Sequence, residues 1–169
     1  MNASTLCLGR TEDAVVIILE GKGLRRESEH LKSLYEEVVA EDQRTQSSRS
    51  FVVMLDRCEY LDSTFLGGLV RLAKRQRSGQ ADLRIVATPA TVERLLGPCK
   101  LQKYLPVHSS FAGQLPDQWH VVDLDHPGDA CVYHQLETHE SLAELDIPQS
   151  AAFQRIAESI RKELQARDS

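Results

Sequence analysis

Three consecutive residues, Asp62, Ser63 and Thr64, place a carboxylate and two hydroxyls just ahead of an apolar run with helical spacing. Side-chain oxygens there can accept the first backbone N–H groups of a helix, which have no partner within it. Capping alone would account for the residue types, so the local sequence leaves the function open.

Other reactive side chains gather toward the C-terminus, where Asp125, His126, Asp129, Cys131, His134 and His139 are all of metal-ligating type. Cys131 and His134, followed by a five-residue step to His139, lack the second ligand pair of a structural zinc site, and no metal is expected. The close glycines, Gly21 with Gly23 and Gly67 with Gly68, fit turns and helix packing, and no Gly-x-Gly-x-x-Gly, Walker-type or Gly-x-Ser-x-Gly element occurs. No spacing sets a nucleophile against a base or pairs two catalytic carboxylates, so neither an enzyme nor a cofactor is expected.

The elements that must position Ser63 follow from apolar periodicity. Thr5 to Leu8 and Ala14 to Leu19 read as an antiparallel pair joined by a polar turn. Leu24, Leu31, Leu34, Tyr35 and Val38 then share one face of a helix. A polar run from Glu41 to Ser50 has no apolar period, and Phe51 to Leu55 is apolar throughout, as a central strand buried on both faces would be. Leu66, Leu69, Val70 and Ala73 define the helix that Asp62, Ser63 and Thr64 would start. A strand over Leu83 to Ala87, a short helix after Thr88-Pro89, and a short strand over Tyr104 to Val107 complete an α/β alternation, which implies a small, partly parallel sheet of four to six strands flanked by helices.

From about Pro116 the character changes. Trp119 to Leu124 could add an edge strand, His126 to Asp129 is a turn, and Phe153, Ile156, Ile160 and Leu164 share one face of a last helix, from about Gln149 to Arg167. That face must be buried on its own domain or against a second copy of the chain. Residues 1 to 115 carry 16 Lys and Arg against 14 Asp and Glu, a balance of +2, whereas residues 116 to 169 carry 4 against 11, or −7. An acidic tail and aromatics at 5% disfavour nucleic acid as a partner. The basic group Arg71, Lys74, Arg75 and Arg77 is either a solvated helix face or a docking patch for something acidic. Four dispersed cysteines, no export signal and no stretch approaching the ~18 apolar residues of a spanning helix point to a protein of the reducing cytoplasm, without membrane insertion.

The stretch Leu55-Asp56-Arg57-Cys58-Glu59-Tyr60-Leu61-Asp62-Ser63-Thr64-Phe65-Leu66-Gly67-Gly68-Leu69 resembles the signature of the STAS family, the sulfate transporter and anti-sigma factor antagonist domain. Asp62, Ser63, Thr64, Leu66 and Gly67 match the family's Asp-Ser-Thr and Leu-Gly pattern, and Phe65 stands where glycine is commoner. The resemblance spans roughly Thr5 to Leu115, so residues 1–115 are expected to form the STAS domain and 116–169 an acidic extension ending in an amphipathic helix.

The resemblance implies an anti-sigma factor antagonist that works by protein–protein interaction. It makes Ser63 the phosphate acceptor for a partner anti-sigma serine kinase of ATPase type, with Asp62, Ser63, Thr64, Phe65, Leu66 and Gly67 as the partner-binding residues and the Ser63 hydroxyl exposed toward that partner. Two other roles found in the family are a scaffold or sensor subunit of a stress-signalling assembly, with oligomerisation driven by the extension, and a cytoplasmic accessory of a membrane transporter.

Overall fold

A computed structural model describes residues 4–124 and 131–168. Along the chain run β1 (Thr5–Arg10), β2 (Ala14–Gly23), α1 (Arg25–Thr45), β3 (Ser50–Met54), β4 (Cys58–Leu61), α2 (Ser63–Arg77), β5 (Leu83–Val86), α3 (Pro89–Leu95), β6 (Val107–His108), β7 (Trp119–Val121), α4 (Cys131–Ala143) and α5 (Ser150–Arg167). The expected α/β class is what forms, with seven strands among the described residues rather than four to six.

The main path of the sheet is β6-β5-β3-β2-β1-β7. β1 is antiparallel to β2 and to β7, whereas β3 and β5 extend the sheet in parallel from β2. β2 is long enough to pair twice. Ala14 to Ile18 run beside β3, and after a register shift at Gly21/Lys22 its end runs beside β4. That second pairing aims the chain at the start of α2, because the Asp62 N–H donates to the Gly23 carbonyl at 2.9 Å.

Val15, Ile17, Leu19, Phe51, Val53, Leu83 and Ile85 fill one face of the sheet beneath α1 and α2, together with Tyr35, Phe65 and Leu69. Tyr35 packs edge-on against Phe51, its ring centroid 5.2 Å away, and its hydroxyl donates to the Ala81 carbonyl, so the one polar atom of a buried ring is satisfied. α1 continues through the polar run to Thr45 and stops at Gln46 in the left-handed region (φ 57°). Asp42 secures the exit by accepting from the Arg49 backbone and guanidinium at 3.0 and 2.7 Å.

The extension does not stand apart from this core. β7 extends the sheet beside β1, and Leu124, Leu142, Ile147 and Phe153 join the main core cluster. The α5 stripe is turned inward, with Phe153, Ala157, Ile160 and Leu164 buried within the chain, while Ile156 lies at the rim and is 39% exposed.

Candidate functional site

Capping of α2 falls to Asp62 and not to Ser63. The Asp62 carboxylate accepts the Phe65 N–H at 2.8 Å and its carbonyl accepts the Leu66 N–H at 3.0 Å. Ser63 is therefore the first helical residue with its hydroxyl left over. Burial pushes the Asp62 carboxyl above its usual range, and Glu27 nearby adds to this, against the opposing hydrogen bond from the Phe65 amide. A full charge at this position is held at some cost.

The Ser63 hydroxyl is half-buried, rather than in the fully exposed position expected of it. It meets His139 of α4, with Nε2 2.9 Å from Oγ. The other ring nitrogen, Nδ1, lies 2.7 Å from the Gln135 carbonyl. A carbonyl can only accept, so Nδ1 carries a proton, and in that tautomer Nε2 accepts from Ser63. Phe153 of α5 packs on the same imidazole with its ring centroid 5.9 Å away.

This contact is one end of a continuous seam. Ser63, Gly67, Arg71 and Lys74 recur at steps of four, four and three, which puts them on one face of α2. α4 and the residue just after it, Glu144, meet each of them. Thr138 lies against Gly67 so closely that a Cβ there would fall 2.7 Å from the Thr138 Cβ and 2.8 Å from its carbonyl carbon. Glu137 pairs with Arg71 at 3.4 Å and with Lys32 of α1 at 3.5 Å, and Glu144 pairs with Lys74 at 2.6 Å. Of the basic group, Arg71 and Lys74 meet acids of the chain's own extension, while Arg75 pairs with Glu36 of α1 at 3.2 Å.

A second histidine of α4 closes the seam on α1. His134 Nε2 is 2.8 Å from the Ser28 hydroxyl, which also reaches the Thr64 carbonyl at 3.3 Å. His134 is 97% buried and its Nδ1 has no hydrogen-bond partner among the described residues. Burial, with Lys32 alongside, pushes its pKa down to about 4. A cavity of about 150 Å³ lies beside it, lined by Ser28, Lys32, Glu36, Arg71, Arg75 and His134, and Ser63 is not among the lining residues.

The six residues expected to bind a partner therefore divide. Asp62 and Ser63 lie half-buried at the helix start, Gly67 is buried beneath α4, Thr64 and Leu66 are buried, with the Thr64 carbonyl held by Ser28 of α1, and Phe65 is wholly in the core. His139 and Thr138 were not anticipated as companions of Ser63. Of the metal-ligating types, residues 125–130 and the Cys131 side chain lie outside the described part, and among the described residues no group of three could hold an ion. His134 and His139 are engaged by different serines.

As chemistry, Ser63 and His139 have the composition of a nucleophile and its base. A reaction would also need a substrate cavity at Ser63 and donors for a developing negative charge. The Phe65 and Leu66 amides are already taken by Asp62. The arrangement is suited to holding a hydroxyl in place, and to being disrupted if that hydroxyl is modified.

Among the described residues no helix is long and apolar enough to cross a membrane. No curated protein matches the chain. A solved structure titled "Structure of the Anti-Sigma Factor Antagonist SpoIIAA in its Unphosphorylated Form" is similar, with 14% sequence identity, coverage of 64% of this chain and 90% of that one, and a TM-score of 0.46. The family model of the STAS domain matches residues 9–113, more than half of the sequence and including the whole strand, loop and helix around Ser63. The chain belongs to the STAS domain family.

Proposed function

We propose that this chain is a regulatory protein of the anti-sigma factor antagonist type, which acts by protein–protein interaction and is controlled by phosphorylation of Ser63 by a partner anti-sigma serine kinase. The observation that carries the reading is the division of labour at the start of α2. Asp62 caps the helix and leaves the Ser63 hydroxyl uncommitted to it, at a half-buried surface position. A serine needed as the cap would be a poor acceptor, because modifying it would remove a structural hydrogen bond.

The electrostatics support a switch. Phosphate at the first helical position is favoured by the helix dipole but stands beside the Asp62 carboxylate, with Glu27 nearby. The added dianion concentrates negative charge where an acidic or apolar partner would dock. Leu24 and Tyr60, 37% and 54% exposed, flank Asp62 through the Gly23 hydrogen bond and through β4, and supply apolar surface at its edge. In this reading Asp62 and Ser63 make first contact, and Thr64, Leu66 and Gly67 become available only when α4 moves. The protein acts in the cytoplasm, without catalysis of its own.

Incubating the chain with its cognate anti-sigma kinase and ATP, followed by site-resolved mass spectrometry, tests the proposal. One phosphate on Ser63 is expected, and Ser63→Ala and Ser63→Asp should differ in affinity for the unloaded kinase. Equal binding by the two variants removes the switch.

A further inference from the structure

We infer that α4, backed by α5, is a reversible plug over the partner-binding face of α1 and α2. It holds the Ser63 hydroxyl through His139 and must swing away before that serine can be modified or a partner can dock. This inference rests on the reading of Ser63 given above and adds how access to it is controlled.

Three independent observations carry it. First, α4 covers the motif itself: His139 on Ser63, Thr138 on Gly67, and Ser28 with the Thr64 carbonyl on His134. A phosphate on Ser63 Oγ would replace the hydroxyl hydrogen offered to His139 Nε2, so a phosphorylated Ser63 cannot keep this contact with a seated α4.

Second, the seam is polar where a permanent core is apolar. His134, Thr138, His139 and Ser141 are all buried on α4, beside Leu142. Contacts made of hydroxyls, imidazoles and ion pairs resemble transient interfaces, because each group finds water again on separation.

Third, the charges match. The plug comes from the part of the chain with a balance of −7, and its Glu137 and Glu144 sit on Lys32, Arg71 and Lys74. A partner that takes its place on this face is expected to present an acidic helix.

Gly67→Ala isolates the plug. Alanine is the better helix former, so α2 itself is not weakened, but the new methyl strikes the Thr138 main chain and not the tip of a movable side chain. Hydrogen exchange of the full chain should show amides 131–143 opening well below the global unfolding of β3 and β5. Gly67→Ala should speed exchange across 131–143 by about tenfold or more while residues 51–54 and 83–86 stay protected.

A second variant, Glu137→Lys with Glu144→Lys, should loosen α4 in the same way, and adding Arg71→Glu with Lys74→Glu should restore protection. Unchanged protection of 131–143 in both variants, or loss of protection in the sheet in step with α4, overturns the plug. No partner enters these measurements, so they are independent of the Ser63 reading. If Gly67→Ala frees α4 and the kinase still leaves Ser63 unmodified, the functional reading fails and the plug stands.

Discussion

His139 Nε2 lies 2.9 Å from Ser63 Oγ across 76 residues of sequence, tying the extension to a hydroxyl of the signature that the Asp62 cap leaves over. His139→Ala removes this acceptor and the edge contact with Phe153. We expect a loss of about 1 kcal/mol from the hydrogen bond. A double-mutant cycle with Ser63→Ala, measured by urea unfolding, should give a coupling of roughly 0.5–1.5 kcal/mol, and additivity of the two changes would contradict the contact.

Asp62 gives a test of the cap. Asp62→Ala should destabilise the protein by about 1 kcal/mol, because the Phe65 amide loses its acceptor. Asp62→Asn keeps a good capping oxygen and removes a carboxylate that burial disfavours, so it should lie within a few tenths of a kcal/mol of the parent or above it. Thermal unfolding of both variants distinguishes them, and equal losses would show that the charge, not the cap, is what counts.

His134 makes docking of α4 sensitive to acid. Its folded pKa of about 4 lies below the ordinary 6.5, so between those values the unfolded chain binds a proton that the fold does not. Stability from this group is present in full above about pH 6.5 and is lost as the pH falls toward about 4, by at most roughly 3 kcal/mol. Lys32 and Arg71 oppose protonation of His134, and Glu29 and Glu137 favour it. His134→Gln should flatten the stability profile between pH 6.5 and 4; an unaltered slope would place the sensitivity elsewhere.

The two adjacent glycines should respond differently to alanine. At Gly67 the new methyl meets the Thr138 main chain, which moves only if α4 moves. At Gly68 it meets the Ser28 hydroxyl at 2.5 Å, the tip of a side chain that can rotate away at the expense of its bond to His134. Gly67→Ala should therefore be the more damaging by 1 kcal/mol or more, on the order of a typical overpacking penalty. Denaturant midpoints measure it, and the reverse order would mean that α4 is not packed on Gly67.

The elements built on apolar rows were legible before any coordinates. Phe51, Val52 and Val53 form one uninterrupted buried row, and Leu66, Leu69, Val70 and Ala73 are all buried as their spacing required. β4 escaped notice because only its end residues, Cys58 and Leu61, are buried, which leaves no alternation to read. α4 was missed for a different reason. Its buried side is mostly polar, with His134, Thr138, His139 and Ser141 beside Leu142, so the helix buries polar groups and shows no apolar period. The seam could still have been glimpsed from α2, where Ser63, Gly67, Arg71 and Lys74 form a second stripe opposite in character to the apolar one. Sequence alone could not say that the acid facing that stripe came from the same chain.

The identity of the phosphorylated residue tests the account most directly. The full chain, incubated with its anti-sigma kinase and ATP and analysed by site-resolved mass spectrometry, should carry a single phosphate on Ser63, and Ser63→Ala should carry none. A phosphate on Thr64 or elsewhere, or Ser63→Ala modified to the same extent as the parent, would contradict it.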